Sequence, residues 1–189
     1  MRKTFIVVAV AVFVFASMLN LHASTLAGVT MPDTVQVGSA TLVLNGLGLR
    51  TKFMVKVYVA GLYVPQKSSD AGAILKADAP KRLVMHFVHG ASKSQLTDGF
   101  EDSFHENSPD AVKTMKADID RFVGALEAVK EGDEMSFTYV PGTGTIVAIH
   151  GTDKLTIAGP AFGQVLFSVW LGPKPPSADL KKGILGTRE

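Results

Sequence analysis

The chain has 189 residues, with 19 Lys or Arg, 17 Asp or Glu and no Cys. The lack of cysteine excludes disulfides, thiolate catalysis and cysteine-ligated metals. Arg2 and Lys3 are the only Lys or Arg residues before position 28, and that segment has no acidic residue, so the rest of the chain balances 17 basic against 17 acidic residues. This balance gives no support to nucleic-acid binding, which depends on a basic surface.

The N-terminal segment has the layout of a secretory signal peptide. Residues 1–3 supply a short basic region, and residues 5–16 form an apolar run shorter than the roughly 20 residues that a spanning helix needs. Small residues follow, so we predict cleavage between residues 23 and 28 and a single domain over 28–189. A retained N-terminal anchor is the alternative. We therefore expect a periplasmic or secreted protein.

The first half of the domain is rich in strand signals. Residues 28–40 resemble a loose lead-in, and a β-prone run at 41–44 ends at Asn45 and Gly46, a pair typical of turns. Residues 53–64 alternate between an apolar and a mixed face, which predicts one long strand. Gly61 within that run suggests a bulge or a close backbone approach.

The second half combines helices with further strands. The patterns predict a short helix capped by Ser69 or Asp70, a strand at 81–88 and a helix from Ser92 through Leu96, Phe100 and Phe104. A longer helix opened by Pro109 follows, and then a strand pair at 134–139 and 145–149 that is extended by 154–157. The last predicted elements are a helix at 160–171 and a short helix at 180–185. Because strands and helices segregate instead of alternating, the sequence predicts an α+β domain with a largely antiparallel sheet.

Several polar patterns lack the spacing that chemistry would need. The glycines at 142 and 144 precede a strand, as in a hairpin turn, whereas a phosphate loop leads into a helix. The histidines show no metal-ligand spacing, and no nucleophile elbow is present. Four carboxylates recur at helical spacing and predict a solvated helix face: Asp98, Glu101, Asp102 and Glu106. We expect no metal and no cofactor.

The most informative residues form an ordered set of short motifs. They are NGLGLR at 45–50, KVYVAGLYV at 56–64, KRL at 81–83, EGD at 131–133, YVPGTGT at 139–145, GPAF at 159–162 and SVWLG at 168–172. The set resembles the chalcone isomerase-like family, in particular its bacterial exported branch, over most of residues 40–186. The resemblance implies an open-faced β-sandwich, in which a large antiparallel sheet has helices packed on one face and a ligand cleft between the two layers.

The resemblance also implies which residues line the cleft. The family includes enzymes that close a chalcone to a flavanone and relatives that bind fatty acids without chemistry. Of the polar positions of the enzymes, the arginine is matched by Arg50 and a threonine falls on Tyr58. A tyrosine and an asparagine fall near Leu96 and Ser103, and a late Ser or Thr falls on Gly163. With four of the five positions changed, we expect a non-catalytic protein.

Three functions follow from these residues. The first is an exported, non-catalytic binder of a small amphipathic ligand such as a fatty acid, with Arg50 and Tyr58 holding the head group. The second is an isomerase of the intramolecular lyase type acting on an unsaturated substrate, with Arg50 polarising a carbonyl and Tyr58 donating a proton. The third is a structural or interaction module with a closed core. We expect no nucleic-acid partner, and membrane contact only through the N-terminal segment if it is uncleaved.

The first two functions carry a geometric condition. Arg50 and Tyr58 are eight positions apart, about 26 Å along a straight strand at about 3.3 Å per residue. The two side chains can meet only if the chain reverses near residues 51–53.

Overall fold

The computed structural model describes residues 23–187. The predicted basic and apolar segment of the signal, within residues 1–22, lies outside the described residues. Ala23–Leu26 form the first strand, so the predicted cleavage range overlaps the start of the described fold. No helix within the described range is long and apolar enough to cross a membrane.

A seven-stranded antiparallel sheet organises the fold, with its strands in chain order. They are β3 (Thr34–Val37), β4 (Ala40–Lys52), β5 (Val55–Val64), β6 (Lys81–Phe87), β7 (Glu134–Val140), β8 (Gly144–Ile149) and β9 (Thr152–Ile157). Strands β1 (Ala23–Leu26) and β2 (Val29–Pro32) form a separate hairpin. The helices are α1 (Ala71–Lys76), α2 (Lys93–Asn107), α3 (Pro109–Thr114), α4 (Lys116–Ala125), α5 (Pro160–Leu171) and α6 (Ala178–Ile184).

The helices pack on one face of this sheet. Alternate residues of the central strands enter a core with α2, α4, α5 and α6, where Phe100, Phe137 and Trp170 meet edge-on or tilted. On the other face the β1–β2 hairpin places Met31 against Val59. The predicted α+β fold, a large antiparallel sheet with its helices on one face, is thus confirmed.

Most predicted elements of the second half are confirmed. Asp70 caps α1 by accepting a hydrogen bond from the Ala73 amide at 3.0 Å. Ser92 begins α2 with a reciprocal capping box to Gln95. The helix predicted from Pro109 is instead two helices, because at Met115 the backbone turns to φ −120° and ends α3 before α4 begins.

The first half required more correction. The lead-in predicted as loose forms β2, β3 and the start of β4. Asn45 and Gly46 do not make a turn: β4 continues through them with a register shift between Leu44 and Gly46. The Asn45 side chain donates to the carbonyls of Ser68 and Ile184 at 3.0 and 2.8 Å, so its polar atoms are used in tertiary contacts.

The strand predicted at 53–64 begins two residues late, at Val55, because Phe53 and Met54 form the turn between β4 and β5. Gly61 marks a close approach, as predicted. A Cβ there would lie 2.5 Å from the Met31 sulfur, so glycine lets the β1–β2 hairpin lie against the sheet.

Helix α6 contacts β4 through glycines on both elements. A Cβ at Gly48 would overlap the Leu180 carbonyl oxygen, and a Cβ at Gly183 would overlap the Leu47 carbonyl oxygen. The two backbones are therefore in direct contact, which only residues without a side chain permit. This contact fixes α6, and the chain that enters it, against the end of β4.

Gly48→Ala should therefore destabilise the protein strongly, by about 1–3 kcal/mol or more, because backbone atoms cannot rotate away from the added methyl group. A urea unfolding curve would measure the change. Gly124→Ala is the matched control: a Cβ there meets nothing within 4 Å, and alanine in helix α4 should be neutral or stabilising by up to about 1 kcal/mol. Equal midpoints for the two variants would contradict the α6–β4 contact.

Candidate functional site

The β4–β5 hairpin brings the two predicted site residues together. The chain reverses at Phe53 and Met54, and Arg50 is the register partner of Tyr58 on the neighbouring strand. Register partners project from the same face of a sheet at about 5 Å between Cβ atoms. The geometric condition set by the sequence is met.

Both residues line a cavity of about 1030 Å³. It lies between the sheet, helices α2 and α5, and residues 175–176 before α6. Most of its deep wall is apolar or aromatic and comes from three elements: Val57, Tyr58, Met85 and Phe87 from the sheet, Leu96 and Phe100 from α2, and Val169 and Trp170 from α5. Apolar and aromatic walls that carry placed polar groups are typical of a small-molecule site.

Arg50 is held by backbone carbonyls. Its Nη1 donates to the Pro176 oxygen at 2.5 Å and to the Thr51 oxygen at 2.9 Å. Within residues 23–187 no carboxylate lies at salt-bridge distance from the guanidinium. Since a guanidinium carries five N–H donors, two backbone contacts leave it able to bind an oxyanion.

Tyr58 is buried, and its hydroxyl oxygen accepts a hydrogen bond from Trp170 Nε1 at 3.1 Å. Burial raises the pKa of Tyr58 to about 12, although the Trp170 hydrogen bond and the charge of Arg50 act in the opposite direction. The phenol is therefore protonated at neutral pH. With its oxygen already accepting from Trp170, its own hydrogen is available to donate.

The other positions suggested by the resemblance divide between cavity and core. Leu96 and Ser103 both line the cavity, but the Ser103 hydroxyl donates to the Gly99 carbonyl of its own helix at 2.8 Å. Gly163 lies outside the cavity lining; a Cβ there would sit 2.9 Å from the hydroxyl of Thr145.

The predicted acidic face of α2 is exposed along its length. Two of its carboxylates, Asp102 and Glu106, also border the cavity. They give the rim an acidic side on α2, facing solvent, while Arg50 and Lys52 supply positive charge on the hairpin side.

Of the four histidines in residues 23–187, His89 and His105 line the cavity, whereas His86 and His150 pair with carboxylates. His86 Nδ1 lies 3.0 Å from Glu134, and His150 lies 3.4 Å from Asp133. Residues 23–187 hold no group of three His, Cys, Asp or Glu side chains arranged for a metal ion.

These features define an α+β protein with a ligand-sized cavity beneath its helices. The sequence profile of the chalcone isomerase-like family matches residues 23–186, and the chain belongs to that family. The match begins 17 positions before residue 40, where the resemblance read from the motifs begins. The curated proteins contain no sequence match.

A solved structure shows the same fold. It is that of a fatty-acid binding protein of Arabidopsis thaliana, which superposes with a TM-score of 0.66 over 87% of this chain and 96% of its own. Because the two sequences are only 15% identical, the likeness establishes the fold alone.

Sequence reasoning missed two groups that shape the site. Trp170 was recognised only as part of a family motif, yet its indole holds the Tyr58 hydroxyl. The Pro176 carbonyl, which orients Arg50, had no sequence signal at all. Both contacts join residues more than one hundred positions apart, and only the packing of α5 and α6 reveals them.

All three tyrosines of the chain should titrate well above the ordinary pKa of 10.0. Burial raises the pKa values of Tyr58 and Tyr63 to about 12, and the hydrogen bond from Tyr139 to Asp78 raises that of Tyr139 to about 12. Because each folded pKa lies above the unfolded one, this stabilisation is complete below pH 10 and is lost as the pH rises through about 12.

Near-ultraviolet absorbance of tyrosinate against pH would measure the three titrations, and urea unfolding at alkaline pH would measure the loss of stability. Tyr58→Phe should make that loss less steep, since it removes one of the titrating groups. A folded protein whose tyrosines ionise at their ordinary pKa would overturn the assignment.

Proposed function

We propose that the protein binds a small amphipathic ligand with an anionic head group, such as a fatty acid, in this cavity and does not transform it chemically. We propose further that it acts outside the cytoplasm, directed there by residues 1–27, whose basic start and apolar run favour export. The chalcone isomerase-like family and a fold neighbour that is a fatty-acid binding protein support a lipid-like ligand.

One observation carries this proposal: the register of β4 and β5 places Arg50 and Tyr58 side by side in a cavity whose deep wall is mostly apolar. The guanidinium would supply charge-assisted hydrogen bonds to a carboxylate, and the neutral phenol would donate one more. The hydrocarbon tail would extend along the apolar wall formed by the sheet, α2 and α5.

The same geometry disfavours the isomerase. A phenol whose pKa is raised to about 12 is a weak proton donor at neutral pH, far from the matched pKa that general acid catalysis needs. Leu96 contributes no polar group, and the hydroxyl of Ser103 is bound to its own helix. The environment therefore favours binding over proton transfer.

Arg50→Ala should weaken the binding of palmitate by about 10- to 100-fold, since a hydrogen bond to a charged group contributes about 1.5–3 kcal/mol. Displacement of a fluorescent fatty acid from the purified protein would measure it. Hexadecanol, which has the same tail but no charge, should bind wild type more weakly than palmitate does. In Arg50→Ala this preference should disappear.

Two control variants separate ligand contact from folding. Arg121→Ala removes an exposed arginine of α4 and should leave palmitate binding unchanged. Arg50→Lys keeps the charge but not the bidentate geometry, and should fall between wild type and Arg50→Ala. If Arg50→Ala retains both the affinity and the preference for palmitate, Arg50 is not the anion anchor.

Chalcone supplied to the wild-type protein should show no ring closure above the uncatalysed rate, because the Tyr58 phenol, with its pKa raised to about 12, stays neutral and is a weak proton donor at neutral pH. Loss of the chalcone absorption band over time is a direct assay. A rate that depends on enzyme concentration and falls in Tyr58→Phe would establish the isomerase instead.

A further inference from the structure

The apex of the β4–β5 hairpin exposes large apolar side chains. Phe53 is 90% exposed, Met54 is 96% exposed and Val55 is 45% exposed. These are the large hydrophobic residues that stand out as exposed within residues 23–187, and all three are consecutive. None of them belongs to a core cluster of the described fold.

The backbone conformation of this turn makes Phe and Met at its two central positions unusual. Phe53 and Met54 have φ values of 48° and 66°, so both central residues of the two-residue turn are left-handed. Such a turn strongly favours Asn and Gly, because a larger side chain is strained at positive φ. Folding alone therefore gives no reason for Phe and Met at these positions, since they disfavour the turn and expose apolar surface to water.

Basic residues flank the apolar apex. Lys52 and Lys56 are exposed on either side of it, and residues 45–65 contain no Asp or Glu. The nearest acidic groups of the cavity rim, Asp102 and Glu106, belong to α2 and not to the hairpin. An apolar tip with a lysine on either side is complementary to a bilayer surface with anionic head groups.

The tip also forms part of the cavity entrance. Lys52, Phe53 and Val55 border the cavity that Arg50 and Tyr58 line. Three apolar residues are far fewer than the roughly 20–30 residues per side of a stable protein interface. With lysines beside them, they suit a shallow, reversible insertion into lipid, in which apolar burial and attraction to anionic head groups act together.

We propose that the β4–β5 hairpin tip docks the protein on membranes that contain anionic lipid, with Phe53 and Met54 inserted and Lys52 and Lys56 on the head groups. Sequence reasoning allowed membrane contact only through an uncleaved N-terminal segment, so this is a second and separate contact. Docking goes beyond the proposed function and does not depend on a bound ligand.

The cysteine-free chain allows a site-specific test. The full chain with Met54→Cys carries an environment-sensitive dye at the tip, and Thr143→Cys carries it in the β7–β8 turn at the opposite end of the sheet. Vesicles of phosphatidylcholine mixed with phosphatidylglycerol should shift the emission of the first dye to the blue and leave that of the second unchanged. Vesicles of phosphatidylcholine alone should give a clearly smaller shift.

Substitutions test the two parts of the tip separately. Lys52→Glu with Lys56→Glu should remove the dependence on phosphatidylglycerol, whereas the control pair Lys67→Glu with Lys113→Glu, also exposed, should keep it. With the label absent, Phe53→Asn combined with Met54→Gly should lower vesicle binding by about 10-fold or more, since each inserted side chain contributes strongly to partition. The same double variant should unfold at a higher urea concentration, because the turn is relieved of strain.

These outcomes keep docking distinct from ligand binding. If palmitate binding fails but the dye at position 54 still shifts with anionic vesicles, docking stands without the ligand proposal. An unshifted dye at position 54 with both kinds of vesicle overturns docking. A shift that appears without vesicles and grows with protein concentration would assign the tip to contact between copies of the chain, and would also overturn it.

Discussion

The backbone contact between helix α6 and strand β4 is the constraint on which the site depends. Glycine on both elements lets the helix lie where side chains would otherwise hold it several ångströms away. At the C-terminal end of that helix, Asn45 donates a hydrogen bond to the Ile184 carbonyl. Just before its N-terminal end, the Pro176 carbonyl accepts a hydrogen bond from Arg50. Arg50 is thus oriented by a segment that lies 126 positions later in the sequence.

The β4–β5 hairpin then determines where the chemistry of the site lies. Its register sets Arg50 opposite Tyr58, and its two-residue turn directly follows Lys52. Arg50 and Tyr58 therefore lie on the cavity wall close to the exposed apolar apex of the hairpin. The β4–β5 hairpin thus carries Arg50, Tyr58 and the exposed apolar tip. The strained turn and the register that pairs Arg50 with Tyr58 belong to the same hairpin.

The sequence predicted the fold well wherever a local signal and the tertiary structure agreed. Ser92 and Asp70 capped helices as their chemistry favours, and the β7–β8 pair was evident from alternation around a glycine turn. Predictions failed where tertiary contacts overrode a local preference. The pattern at Asn45 predicts a turn, but its side-chain amide forms a hydrogen bond with the Ser68 carbonyl, distant in the sequence. The chain reverses instead at Phe53 and Met54, which carry no turn signal. Arg50 and Tyr58 came from the family resemblance; Trp170 and Pro176 required the packing.

What Arg50 can do is decided by its neighbours. An arginine beside an acid of suitable pKa can polarise a carbonyl while the acid delivers a proton, and this is how such a pair would serve an isomerase. Here burial raises the pKa of the phenol to about 12 and the indole of Trp170 occupies one side of its oxygen, so Tyr58 remains a neutral donor. Two donors fixed on an apolar wall are suited to an anion that is not protonated, and in the proposed function the guanidinium would anchor its head group.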